Sequence, residues 1–194
     1  IQTKTINGTD YLMSRSPAGK YGGTLVTSTI GEGPKTFNSW NSMDATSSQA
    51  ADIMFDALVS TDPYTGEVYP KMAKSIKVLP DNKTYIIELR HGLKWSDGKP
   101  ITADDVYFTW DTIIFGGFGN TSTRDAMYIG DELPKIEKLD KYTVKFTTPK
   151  PFSPFLRQLG VPIAPKHILE PVTKQGKRAF ASFWSSNTKP SDFV

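Results

Sequence analysis

The sequence predicts an α+β fold whose sheet is built from antiparallel hairpins. Two observations carry this. Segments with alternating apolar residues come in pairs joined by short polar turns, and between the pairs lie segments whose apolar residues recur at helical spacing. No internal repeat of solenoid period interrupts the pattern.

Each element follows from its local chemistry. Residues 24–30 (TLVTSTI) are rich in Thr, Val and Ile, with Gly22-Gly23 before them and Gly31, Gly33 and Pro34 after, which predicts a short buried strand. A long polar loop (GEGPKTFNSWNSMDATS) comes next. From Ser47 the period changes: Ala50, Ile53, Met54, Ala57 and Leu58 share one face of a helix capped by Thr46 or Ser47. Asp62-Pro63-Tyr64-Thr65-Gly66 is a turn. KSIKVL (74–79) and TYIIELR (84–90), joined around Asp81-Asn82-Lys83, predict a hairpin with Tyr85, Ile87 and Leu89 on one face.

After the turn Ser96-Asp97-Gly98 and Pro100, Thr102 is a good helix N-cap. Asp104 and Asp105 then sit in the first turn, where carboxylates complement the helix dipole. Val106, Trp110, Ile113 and Ile114 supply the buried face, and Gly116-Gly117 ends the helix. GGFGNTSTRD (116–125) reads as a flexible connection. KIEKL (135–139) and YTVKFTT (142–148), around Asp140-Lys141, predict a second hairpin with Tyr142, Val144 and Phe146 alternating. Beyond Pro149, prolines at 151, 154, 162 and 165 keep the elements short, and SSNTKPSDFV closes the sequence without a visible helix or strand terminus.

Composition excludes several function classes. Of the 194 residues, 38% are hydrophobic and 22% charged, the balance of a globular chain rather than a disordered one. Uninterrupted apolar runs are only a few residues long, far short of the roughly 20 that a spanning helix needs. Lys and Arg outnumber Asp and Glu by 23 to 20, and they are scattered, so no nucleic-acid partner is expected. The absence of cysteine removes thiol catalysis, disulfides and thiolate metal sites together, and leaves the compartment open. The only histidines, His91 and His167, are far apart, so neither a metal site nor a cofactor is expected. No basic segment followed by an apolar run marks a signal peptide in the first 23 residues.

Three constellations could carry chemistry. Asp97, Asp104 and Asp105, near His91 and Trp95, could form the carboxylate pair of a carbohydrate-active enzyme. Each carboxylate also has a local explanation, Asp97 in a turn before Gly98 and the other two at a helix start. GGFGNTS resembles a phosphate-cradling loop superficially, but it comes after a helix and lacks the trailing Lys-Ser or Lys-Thr. Lys166, Lys174, Lys177 and Arg178 could attract an anion, or simply form a solvated face. The loop from Glu32 to Thr46 differs in kind. It carries Phe37, Trp40 and Met43 between a strand and a helix, where ligand contacts are commonly placed.

The run LRHGLKWSDGKPITADDVYFTWD, Leu89 to Asp111, resembles the characteristic segment of the family 5 extracellular solute-binding proteins of ABC importers. The residues that carry the resemblance are Leu89, Arg90, Gly92, Trp95, Asp97, Gly98, Pro100, Thr102, Ala103, Asp105, Val106 and Phe108. Flanking segments agree in order: Gly22-Gly23-Thr24-Leu25 resembles the family's first strand, Phe55 to Ser75 its helix and turn, and IAPKHIL (163–169) its later return. The resemblance implies a periplasmic binding protein-like fold of which this is an N-terminal portion, since family members are much longer. It implies residues 1–45 as the opening piece of a first lobe, 46–165 as an inserted small domain, and 166–194 as a segment returning toward that lobe. The implied protein is not an enzyme. It captures a peptide or similar small solute outside the cytoplasmic membrane, at the periplasm or cell surface, for an ABC permease. By alignment through Phe55-Asp56-Ala57-Leu58, the implied ligand-binding positions are Met43, Asp44 and Ala45, with Phe118 from the Gly-rich loop. A ligand-free docking domain is the remaining alternative to this reading and to the enzyme.

Overall fold

The computed structural model describes residues 3–6, 9–12, 19–24, 26, 28 and 32–189. Eight strands and six α-helices are assigned among them. The strands are β1 Thr3–Ile6, β2 Thr9–Leu12, β3 Val59–Thr61, β4 Val68–Pro70, β5 Ala73–Val78, β6 Thr84–Leu89, β7 Lys135–Lys138 and β8 Thr143–Thr147. The helices are α1 Ala45–Met54, α2 Ala103–Tyr107, α3 Ser122–Ala126, α4 Phe155–Gln158, α5 Lys166–Thr173 and α6 Lys177–Ser182, and a π-helical stretch, Phe108–Phe115, continues α2.

Both predicted hairpins form, and they join into one antiparallel sheet of order β5-β6-β8-β7. The central pairing sets Tyr85 opposite Phe146 and Ile87 opposite Val144. These four residues, with Leu89, are the buried face that the alternation predicts. The turn at Asp62 closes a third hairpin, β3-β4: its carboxylate accepts the N–H groups of Tyr64 and Thr65, and its carbonyl accepts that of Gly66. α2 and the π-helical stretch lie over the sheet and bury Val106, Trp110, Ile113 and Ile114. Trp110 meets Phe146 edge-on at 5.2 Å, and Phe146 meets Phe155 of α4 at 5.6 Å. Such aromatic pairs add directional preference to the burial of large apolar surfaces.

Thr102 caps α2 as expected, within a capping box. Its side chain accepts the Asp104 N–H at 3.3 Å, while the Asp105 carboxylate accepts the Thr102 N–H at 2.9 Å. The helix reaches Gly116 as expected, but its second half widens to π geometry, which residue spacing did not indicate. The Thr109 hydroxyl lies in that stretch, donating to the Asp105 carbonyl at 2.7 Å and accepting the Ala164 N–H at 2.8 Å.

Three expectations need correction or qualification. The strand over residues 24–30 falls largely outside the described residues; Thr24, Val26 and Ser28 are described and belong to no strand. α1 starts at Ala45, because Asp44 is its cap rather than Thr46 or Ser47. Ser47 is buried, its hydroxyl donating to Asp44 and accepting the N–H groups of Lys35 and Thr36. The buried face of α1 is thus Ser47 and Ala51, and Ile53 is 89% exposed. The apolar period runs past the helix end: Ala57 is buried by a bridge to Pro162, and the Leu58 carbonyl accepts the N–H groups of Lys71 and Ala73. Finally, the Gly-rich connection is not free of structure, since it holds α3 and packs against Trp40.

The last described segment returns to the opening loop. The Phe37 N–H donates to the Trp184 carbonyl at 2.8 Å, the buried Asn38 amide donates to the Phe180 carbonyl at 2.9 Å, and Thr36 bridges Ser185. Residues 36–41 are therefore held by α6 and the residues after it.

Candidate functional site

Three distant segments converge on a cavity of about 440 Å³. The opening loop and α1 supply Trp40, Ser42, Ser48 and Asp52; the connection after the π-helical stretch supplies Asn120, Thr123 and Met127; the end of α4 and the residues just beyond it supply Gln158, Val161 and Pro162. Trp40 is the hinge of this arrangement. Its indole N–H donates to the Pro162 carbonyl at 3.1 Å, and its carbonyl accepts the Asn120 N–H at 2.8 Å. The Asn120 amide in turn donates to the Ser42 carbonyl at 3.1 Å. Gly119 makes this approach possible. It has φ +68°, and a Cβ there would collide with the Trp40 carbonyl. On the far wall, the Gln158 amide donates to the Ala126 carbonyl at 2.7 Å.

The wall is rich in hydroxyl and amide groups over an apolar floor, and Asp52 is its one ionisable side chain. That combination suits a neutral or amine-bearing polar solute better than an anion.

None of the residues singled out by resemblance is among those lining this cavity. Met43 is 83% exposed and Ala45 is exposed, directly after the wall residue Ser42. Asp44 faces α1: its carboxylate accepts from the Thr46 hydroxyl at 2.6 Å, the Ser47 hydroxyl at 2.7 Å and the Ser47 N–H at 2.9 Å. Those bonds, the one from Thr46 foremost, lower its pKa to about 2. Phe118 is half-buried and turns toward α6, meeting Phe180 edge-on at 5.5 Å with Lys177 Nζ 5.7 Å from its ring centroid. Sequence reasoning did not single out Ser42, Ser48, Asp52, Asn120 or Gln158. The Gly119-Asn120 pair is the only local signal, because a glycine beside a polar residue marks close backbone approach.

The acidic set does not assemble as a catalytic pair. Asp97 bonds His167 at 2.8 Å and lies 3.4 Å from Lys99, and Asp104 bonds Lys138 at 2.7 Å. Asp105, 5% exposed, accepts from the N–H groups of Thr102 and Lys166. Burial raises the pKa of Asp105, while the Lys99 N–H foremost lowers that of Asp97. None of the three lines the 440 Å³ cavity. His91 stacks on Tyr142 at 4.4 Å. Among the described residues no group of three or more His, Asp or Glu is placed to hold a metal, and no helix is long and apolar enough to cross a membrane.

Comparison with known proteins decides the family. Residues 67–192 match the bacterial extracellular solute-binding proteins, family 5, over the middle portion of that family. The chain belongs to this family. It is 32% identical over 164 residues to a probable ABC transporter-binding protein of Deinococcus radiodurans, covering 82% of this chain and 27% of that protein. It is 34% identical over 160 residues to the oligopeptide-binding protein AppA of Bacillus subtilis, covering 80% of this chain and 28% of AppA. The solved structure of AppA in complex with a nonapeptide superposes on 74% of this chain with a TM-score of 0.62. The fold is accordingly the mixed α+β fold of the family, seen over part of its length. The chain spans a little over a quarter of the length of these relatives.

Proposed function

We propose that the chain is part of the substrate-binding component of an ABC importer, which captures a peptide or similar small solute outside the cytoplasmic membrane and presents it to a membrane permease. Family membership over residues 67–192 carries this reading, and the polar-walled cavity of about 440 Å³ supports it. The ligand contacts of this reading are Met43, Asp44, Ala45 and Phe118. The division into an opening piece (1–45), an inserted domain (46–165) and a returning segment (166–194) draws support from the hydrogen bonds that tie residues 36–38 to 180–185 across the chain.

A solute enclosed between two lobes takes its affinity from contacts on both sides and from exclusion of water. This chain offers one side. Calorimetric titration of a set of short peptides into this chain, and into a chain extended to the length of its relatives, tests the reading. The extended chain binds a peptide, and this chain binds it at least about 100-fold more weakly, a difference of about 2.7 kcal/mol. Equal affinity of the two chains would place the whole site within residues 1–194. An extended chain that bound none of the peptides would remove peptides from the ligand class.

A further inference from the structure

We propose that the cavity of about 440 Å³ is a binding site for a primary alkylammonium group, with Asp52 as its counter-ion and the apolar floor as the seat of its hydrocarbon stem. The site goes beyond the solute-binding reading and does not depend on it. Every group it uses lies in this chain, and none of Met43, Asp44, Ala45 and Phe118 lines it.

On and beside α1, Asp52 is the acidic side chain without a partner. Asp44 commits both carboxylate oxygens to the cap of the helix, and Asp56 pairs with Lys71 at 2.6 Å. The Asp52 carboxylate has no hydrogen bond or ion pair among the described residues. It also stands in the last turn of α1, which carries no basic residue. The helix dipole places partial negative charge at that end, so a carboxylate there is disfavoured until a cation joins it. A second cavity, of about 270 Å³, shares Asp52, Gly160 and Pro162 with the first, which sets Asp52 where the two meet.

The rest of the wall narrows the chemistry of the cation. No basic side chain lines the cavity, so nothing there competes for the carboxylate. Ser39 and Thr123 also line it, and their hydroxyls make no hydrogen bond among the described residues. A primary ammonium has N–H donors both for a carboxylate, in a charge-assisted bond, and for hydroxyl oxygens. A quaternary ammonium has none to give. Trp40, Ile114, Met127 and Val161 supply apolar surface to the same cavity, which a bare ammonium ion leaves unused and a short alkyl stem covers. Charge, donors and stem are thus each matched by a different part of one wall.

¹H–¹⁵N spectra of this chain, read at the Trp40 indole N–H and the Asp52 and Met127 amides, test the assignment. The probes are n-butylamine hydrochloride, N-acetyl-lysine methylamide, n-butanol, ammonium chloride and tetramethylammonium chloride, with sodium chloride holding ionic strength constant. Butylammonium shifts these signals saturably. Butanol, ammonium and tetramethylammonium require at least about tenfold higher concentration, as expected for loss of the charge, the stem or the donors. In Asp52→Asn the advantage of butylammonium over butanol disappears while the signals of the central sheet stay in place, and Asp52→Glu restores it. A lysine derivative that matches butylammonium shows that the site takes side chains as well as free amines, and a weaker response restricts it to free amines. Butylammonium acting no better than butanol or ammonium chloride overturns the proposal, as does an advantage that survives in Asp52→Asn. Either of those results leaves the solute-binding reading to its own calorimetric test.

Discussion

Thr102 and Asp105 exchange hydrogen bonds at the start of α2, and Asp105 also reaches the N–H of Lys166 at the start of α5. The most recognisable stretch of the sequence thus holds the fold together and contributes nothing to the cavity wall. Thr102→Ala is expected to lower stability by about 1 kcal/mol in urea denaturation, with solute affinity of the extended chain unchanged; lost affinity at unchanged stability would contradict the assignment. Gly119 is a different kind of residue. Its positive φ and its contact with the Trp40 carbonyl leave no room for a side chain. Gly119→Ala is expected to cost about 1–3 kcal/mol and to alter tryptophan fluorescence, because the link between Asn120 and Trp40 must shift. An unchanged spectrum with unchanged stability would remove Gly119 from its role.

At the scale of elements, the tie between the opening loop and α6 depends on Asn38, which is fully buried. Its amide donates to the Phe180 carbonyl and its carbonyl oxygen accepts the Trp40 N–H at 3.2 Å. Replacing it with alanine leaves both partners unsatisfied, a loss of about 1–3 kcal/mol. Hydrogen exchange should then quicken in residues 177–184 before it does in the sheet, and uniform quickening would show that the tie is not local. The two hairpins of the central sheet were legible because alternation and turn chemistry are properties of adjacent residues: Tyr85, Ile87 and Leu89 need only their neighbours to define a face. The bounds of α1 were not, since Ala57 and Leu58 continue the helical period while being buried by Pro162, Lys71 and Ala73 instead. The cavity was less legible still. Trp40, Asn120 and Gln158 share no spacing, and the tertiary bonds that gather them leave no local trace. Met43, Asp44, Ala45 and Phe118 came from resemblance rather than from any pattern of their own.

For the molecule as a whole, the carboxylates predict a direction of response to acid. Asp44, Asp81, Asp97, Asp140 and Glu88 all have lowered pKa values, the first four through hydrogen bonds in caps and turns and Glu88 chiefly through Lys74. Their folded values lie below the unfolded ones, so the stability they confer is complete above the ordinary carboxylate range and lost as pH falls through the folded values. Asp105, raised by burial, acts in the opposite sense, since its stabilising effect is present at low pH and lost as pH rises. Five groups against one predict a melting temperature that falls as pH drops below the ordinary Asp value of 3.8, with a shallower fall in Asp44→Asn; a rising melting temperature over that interval would refute this. The strand order β5-β6-β8-β7 also imposes a sequence of events in time. Each hairpin closes over a few residues, on the order of 1–10 μs, but the pairing of Thr84 with Thr147 must wait until the whole intervening chain, α2 and the π-helical stretch included, has folded back. The sheet is therefore two local halves joined by one long-range pairing, that of Ile87 with Val144, which carries the larger loop-closure cost.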